Sequence, residues 1–338
     1  MAEEWELDDR IEEMVDGPGA VPFSRLYELS DLNREQIDLF LRTWQTLPVE
    51  ERRRLMHALV ELAEASFQVN FDAIFRRCLH DSDAEVRATA IDGLWEDEDA
   101  RLVGPLLTAL RADPSPEVRA SAAQALGRFV LAGELEEIEE PVQIRILSDL
   151  LTTIHLAGES IEVRRRALES AAYAAPPEVM DALAAAYYAD DERMRLSAVV
   201  GMGRTCDRRW RDLVLEELES PVPAMRYEAA LAAGELRLRA AVPRLIALVD
   251  DPDPQIYSAS IWALGQAGGS EAKQALLNAY AEAAGEEARA MVEEALAEHA
   301  LLEGDLDFIL YTLDPEEDFE WLPDEEDGPF DFEDDDME

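Results

Sequence analysis

The sequence predicts an all-α protein, a solenoid of stacked helical pairs. Three observations carry that expectation: one short phrase recurs along the chain, its apolar positions keep a helical period, and no convincing strand interrupts it. The phrase runs DSDAEVRATAIDGLW from Asp81, DPSPEVRASAAQALG from Asp113, ESIEVRRRALESAA from Glu159 and DERMRLSAVVGMG from Asp191. It continues as PVPAMRYEAALAAG from Pro221, DPDPQIYSASIWALG from Asp251 and a worn GEEARAMVEEALA from Gly285. Its anchors, Arg87, Arg119, Arg164, Arg195, Arg226, Tyr257 and Arg289, are spaced by 32, 45, 31, 31, 31 and 32 residues. The long interval contains GELEEIEEP, Gly133 to Pro141, which reads as an acidic insertion or an extended turn between helices.

Each copy predicts one amphipathic helix. Offsets −1, +3 and +7 from the anchor hold Val86, Ala90 and Leu94, then Val118, Ala122 and Leu126, and so on to Ala288, Val292 and Leu296. Those offsets fall on one stripe of a 3.6-residue helix. The stripe is rich in small residues, and Gly127, Gly203, Gly234 and Gly265 at +8 mark either tight packing or a helix end. Between copies lies a second stripe, such as Val103, Leu106, Leu107 and Leu110, or Val242, Leu245, Ile246 and Val249. Two helices per 31 or so residues, neither able to bury its stripe alone, predict a stack.

The phrase D-P-x-P-x-V-R-x-x-A-x-x-A-L-G, as at Asp113 to Gly127, resembles the HEAT repeat in its short bacterial form, also seen in phycobilisome-lyase-type proteins. The resemblance covers about residues 70 to 300. It implies a right-handed α-solenoid of HEAT-like helical pairs whose second helices line the concave side. It also implies an Asp and Arg ladder between repeats, with roles for Asp81 or Asp83 with Arg87, and for Asp113 with Arg119. Tyr257 in place of the Arg, and Glu159 and Pro221 in place of the Asp, are expected to interrupt it. The periodic recurrence of these arginines favours that structural ladder over anion binding.

The ends differ from the repeats. Residues 1–22, with Gly17, Pro18, Gly19 and Pro22, read as a mobile acidic arm. Residues 23–68 carry Ile37, Phe40, Leu41 and Trp44, then Leu55, Leu59 and Leu62, and read as a helical cap or degenerate repeats. The solenoid is expected over 69–303, with 304–313 as a capping helix. Residues 314–338 hold 15 acids among 25 and read as a disordered acidic C-terminal tail.

Charge limits the function classes. The 338 residues contain 30 basic and 76 acidic side chains, a net charge of −46, which disfavours nucleic acid and anionic membrane as partners. Lys273 is the only lysine, and from Ala290 onward there are 21 acids and no basic residue. Two distant cysteines, Cys78 and Cys206, form neither a disulfide framework nor a zinc motif, and an acidic N-terminus does not resemble a secretory signal. A soluble, monomeric, cytoplasmic protein is expected. His57, His80, His155 and His299 have no companion at ligand spacing, so no metal and no cofactor is expected. HEAT-type hydroxylases use His-Glu pairs, and this sequence contains none. No phosphate loop or nucleophile motif follows a strand.

What remains is surface. Offsets +1, +5 and +8 lie opposite the core stripe and carry Leu196 and Val200, Tyr227 and Leu231, then Trp262, with Asp92 and Trp95 in the first copy. Exposed, they make an aromatic strip of the kind that anchors interfaces; paired with one another, they are core. In the tail, Phe319, Trp321, Phe330 and Phe332 interrupt the acids. That pattern suits a binding motif, an autoinhibitory segment docking on arginines such as Arg208, Arg209 and Arg211 or Arg164 to Arg166, or a solubilising extension. The leading expectation is a non-enzymatic scaffold or adaptor that holds a protein or peptide, with a basic one favoured, on its concave face. The alternatives are a bilin lyase or isomerase subunit, from the resemblance alone, and an acidic sequestering factor for a basic protein, from the charge.

Overall fold

The computed structural model describes residues 23–304, so the expected arm over 1–22, the capping helix and the acidic tail lie outside the described residues. Within them the chain is helical from end to end, with no strand. A four-residue turn of helix, α1 (Phe23–Leu26), leads into eight successive helical pairs. These are α2 (Arg34–Thr46) with α3 (Val49–Ala65), α4 (Asp72–Cys78) with α5 (Ala84–Gly93), α6 (Val103–Ala112) with α7 (Pro116–Glu134), and α8 (Glu140–His155) with α9 (Ile161–Ala171). The series continues as α10 (Pro177–Tyr187) with α11 (Glu192–Arg204), α12 (Arg211–Glu217) with α13 (Pro223–Glu235), α14 (Val242–Leu248) with α15 (Pro254–Ala267), and α16 (Ser270–Glu282) with α17 (Glu286–Glu303).

Local chemistry places the helix starts. The turn inside a pair ends on an N-cap that accepts from the first helical N–H groups: Asp83 for α5, Ser115 for α7, Ser160 for α9, Asp191 for α11 and Asp253 for α15. Proline follows at the first helical position of α7, α13 and α15, where its missing N–H costs nothing. Asn33 and Gln36 close a capping box on α2. The 45-residue interval is absorbed by longer helices, α7 at 19 residues and α8 at 16, so Gly133 lies inside a helix and not in an extended turn. The turn itself is short, and Glu136 takes a left-handed φ of 61° there.

The stripe at −1, +3 and +7 is the core. Val86, Ala90, Leu94, Val118, Ala122, Leu126, Met225, Ala229 and Ala233 are all buried, and the same positions stay buried through Val292 and Leu296, with Ala288 half-buried. Second helices pack on one another without a gap from α3 to α17, whereas contacts between neighbouring first helices are sparser. In a curved stack the compressed layer is the inner one, so the second helices line the concave side. The +8 glycines serve that compression and do not end helices. A Cβ on Gly265 would stand 2.7 Å from the Ala295 carbonyl oxygen of α17, and one on Gly203 would stand 2.9 Å from the Ala232 Cα of α13.

An ion-pair ladder runs along the intra-pair turns. Arg87 donates Nε and Nη2 to the two carboxylate oxygens of Asp113, both at 2.8 Å, and Nη1 to the Asp81 carbonyl of its own turn at 2.8 Å. Arg119 repeats the arrangement on Glu159, at 2.8 Å twice, and on the Asp113 carbonyl at 2.7 Å. Arg226 places Nε and Nη2 on one Asp251 oxygen, Oδ2, at 2.9 and 2.8 Å, and donates Nη1 to the Ser220 carbonyl at 2.9 Å. The pairing is therefore shifted by one repeat from the expected one: Asp81 receives Arg52 of α3, and Asp113 receives Arg87. Two expected interruptions do not occur. Glu159 replaces Asp as a full bidentate partner, and where Pro221 stands, Arg195 instead pairs with Glu217 at the end of α12, a carboxylate that also accepts from the Tyr187 hydroxyl. The breaks fall at Arg164, which donates to the Ile154 carbonyl at 2.7 Å, and at Tyr257. Burial alone would push the Asp113 and Glu159 carboxyls up, but the arginine pairs and turn N–H bonds hold both below the usual range.

Two outcomes follow for stability. Gly265→Ala is expected to cost about 1–3 kcal/mol in chemical denaturation because backbone must move, whereas Gly104→Ala, with nothing near its Cβ, costs nothing measurable. Arg119→Ala strands the buried Glu159 and is expected to cost about 3 kcal/mol near neutral pH. Because the Glu159 carboxyl is depressed in the folded state, that difference shrinks as pH falls through and below the ordinary carboxylate range, which denaturation curves across pH will read.

Candidate concave-face binding site

The aromatic strip occupies the C-terminal half of the inner layer. Tyr227 and Leu231 lie one helical turn apart on α13, half-buried, and the Trp262 indole of α15 is 37% exposed. Trp262 rests across α13 at Gly234, where any Cβ would collide with its ring. These three residues, with Pro254, Gln255, Ser258 and Ala259, line an open groove of about 410 Å³. Leu196 and Val200 on α11 are half-buried on the preceding helix, and Leu196 packs against the core. The structure thus brings Tyr227, Leu231 and Trp262 into one groove, while Leu196 and Val200 sit on the preceding second helix outside it.

Trp95 does not join them. It is 44% exposed just beyond α5 and lines a separate concave pocket of about 570 Å³, shared with Glu64, Ser121, Arg128, Tyr173 and Arg204 among others. That pocket is polar, lined by residues of α7 and α9, and shares no residue with the aromatic groove. Phe319, Trp321, Phe330 and Phe332 lie outside the described residues.

The polar centre of the face was not singled out by the repeat. Glu169 is buried at offset +5 of α9, accepting from Arg165, Arg166 and the Ser197 hydroxyl, so it is a satisfied structural acid. Arg204 donates to the Glu169 carbonyl at 2.7 Å and lies 4.6 Å above the Tyr173 ring. Glu228 and Glu235 of α13 complete the cluster, with the Glu235 carboxylate over Gly203. Burial, and the negative charges of Glu169 and Glu235, push the Glu228 carboxyl up to about 7 against the opposing pull of Arg204. Burial likewise pushes Glu235 up. Offset +2, which puts Glu228 on the inner face, was the one signal available; the crowding of three acids around a single arginine was not.

These carboxylates have a pH signature. An acid raised in the folded state is unequally ionised between its unfolded pKa and its folded one, so native Glu228 subtracts stability progressively as pH rises from the ordinary glutamate range to about 7. Glu228→Gln is therefore expected to raise Tm at pH 8 and leave it nearly unchanged at pH 4.5, as scanning calorimetry at the two values will show.

No helix among the described residues is long and apolar enough to cross a membrane, and no cluster of three or more ligating side chains that could hold a metal occurs among them. No curated protein matches the chain. Among solved structures it is similar to the CpcE and CpcF complex of phycocyanin lyase from Nostoc sp. PCC7120, at 18% identity over 71% of this chain and 92% of that one, with a TM-score of 0.49. It is similar to E. coli YibA at 18% identity, over 75% of this chain and 90% of that one, with a TM-score of 0.44. Kap95p, solved with RanGDP, aligns at 14% identity over 92% of this chain and 48% of that one, with a TM-score of 0.46. The family model for HEAT repeats matches residues 72–154 and 211–297, just over half of the chain. Together with the paired helices and the phrase itself, that match makes this chain a member of the HEAT-repeat family.

Proposed function

We propose that the chain is a non-enzymatic interaction scaffold that holds a protein or peptide segment along its concave face, centred on Leu196, Val200, Tyr227, Leu231 and Trp262. The observation that carries this reading is the uncovered groove between α13 and α15, where Trp262 and Tyr227 present aromatic surface beside Leu231. Aromatic side chains of this kind anchor interfaces because they bury large area at small rotamer cost. Glu228 and Glu235 flank the strip and add acid to a chain of net charge −46, which favours a segment combining apolar anchors with basic residues. The acidic aromatic tail serves as a second or autoinhibitory element, and the reducing cytoplasm is the expected compartment.

The test is affinity capture with the full chain, followed by titration of the recovered partner against Tyr227→Ala and Trp262→Ala. Each substitution is expected to weaken binding by about 2 kcal/mol, roughly thirtyfold, with unchanged helicity by circular dichroism. Unchanged affinity in both variants would remove the strip as the site. Binding that collapses on adding salt while ignoring the aromatic substitutions would favour acidic capture of a basic protein instead.

A further inference from the structure

One edge of the solenoid runs against the charge of the whole. The second helices all end there, and the connections to the next first helices carry arginines. Arg208 opens a short 3₁₀ turn before α12, Arg211 begins α12, Arg237 ends the turn after α13, and Arg239 opens the 3₁₀ turn before α14. With Leu238, Ala240, Gln266 and the last turn of α17, they line an open groove of about 720 Å³. Its one acid, Glu303, is taken by Arg239 at 2.6 Å and by the Gly269 N–H at 3.1 Å. The side chains of Arg208 and Arg237 make no hydrogen bond or ion pair among the described residues, and the Arg211 guanidinium reaches only Asp212 beside it, at 4.0 Å. All three are exposed. Arg237 moreover holds a left-handed φ of 49° at a helix end, where glycine is the low-cost residue. The same left-handed turn recurs after α7 at Glu136 and after α11 at Cys206, so it belongs to the repeat; what is particular at this edge is that exposed arginines with little or no acid partner meet in one groove.

The chain supplies a matching segment at the same place. Helix α17 ends at Glu303, a lining residue of the groove, and Gly304 turns the chain out of the helix with φ 70°. Residues 305–338 follow, carrying 17 acids and no basic residue, with Phe319, Trp321, Phe330 and Phe332 among them. The geometry points to this arginine groove as the docking site of the chain's own C-terminal segment 314–338. Its carboxylates pair with Arg208, Arg211 and Arg237, and an aromatic side chain lies over the exposed Ala240 and the aliphatic stems of the arginines. Bidentate pairing suits guanidinium and carboxylate. Tethering ten residues from the groove gives an effective concentration on the order of millimolar, so contacts too weak to hold a free peptide suffice in cis. This assignment concerns a different surface from the concave strip and does not depend on it.

Cys206 gives the experiment its probe: it is exposed, two residues before Arg208, while Cys78 is buried. A nitroxide on Cys206 of the ¹⁵N-labelled full chain is expected to broaden amide signals within 314–338. The broadening should be lost in Arg208→Glu/Arg211→Glu/Arg237→Glu and on adding salt, and should not change on dilution. Three exposed substitutions leave the core intact, which circular dichroism checks; the corresponding Gln set is the fallback if the reversal fails to fold. Signals that are sharp in the wild type, broadening that survives both sets, or broadening that scales with protein concentration and so arises between molecules would each overturn the assignment.

Discussion

The bidentate pair between an arginine at the start of one second helix and an acid in the turn of the next pair is the contact on which the stack depends. Each arginine does two things at once. It ties its fork to the following repeat and its remaining nitrogen to the carbonyl of its own turn, as Arg87, Arg119 and Arg226 do. The acid does the same in reverse: Asp113 takes Arg87 and also accepts the Ser115 N–H at 2.9 Å, fixing the turn that starts α7. A local turn and an inter-repeat contact are thereby one structure, and neither element can shift without the other. Lysine, a point charge with no fork, could not make both bonds in that geometry.

The ladder sets the spacing of neighbouring pairs along their turns, and the small-residue seam sets it along the helices. Where glycine and alanine face each other, as at Gly265 with Ala295 and Gly203 with Ala232, second helices come close enough that a methyl group has no room. First helices carry Leu and Val stripes, such as Leu106, Leu107 and Leu110, and stand further apart. The difference in side-chain bulk between the layers is the source of the curvature, which sets the crowded inner face apart from the outer one. The inner face is also where burial is most costly for charge. Glu228, crowded by Glu169 and Glu235, holds its proton to about 7.

Charge is unevenly distributed in a way that gives the surface distinct regions. The ladder arginines Arg52, Arg87, Arg119 and Arg226 are tied to acids and largely screened from solvent, and the acidic excess weighs on the exterior. At one edge, Arg208, Arg211 and Arg237 are gathered in a single groove. The concave face divides in turn into an aromatic groove at Tyr227, Leu231 and Trp262 and a polar pocket that holds Trp95 together with Glu169 and Arg204. A solenoid permits this because each repeat contacts only its neighbours, leaving outward offsets free to vary without disturbing the core.

The repeating phrase by itself determined the helical pairs, their order, the stripe at −1, +3 and +7 and the close approach of the second helices. All of these are consequences of local periodicity: an apolar position every three or four residues makes one face, and a small residue on that face permits contact whatever the partner. Tertiary structure alone decided which acid each arginine meets. The resemblance implied roles for Asp113 with Arg119 and a break at Glu159, whereas the rise from one pair to the next carries Arg119 forward onto Glu159 and Arg195 onto Glu217, a helix residue outside the phrase. It also decided that the 45-residue interval lengthens α7 and α8, that Trp95 stands apart from the strip, and that arginines 29 residues apart share one groove. Such juxtapositions depend on the rotation and rise between repeats, which arise from packing across the whole interface and leave no trace in the spacing of any single copy.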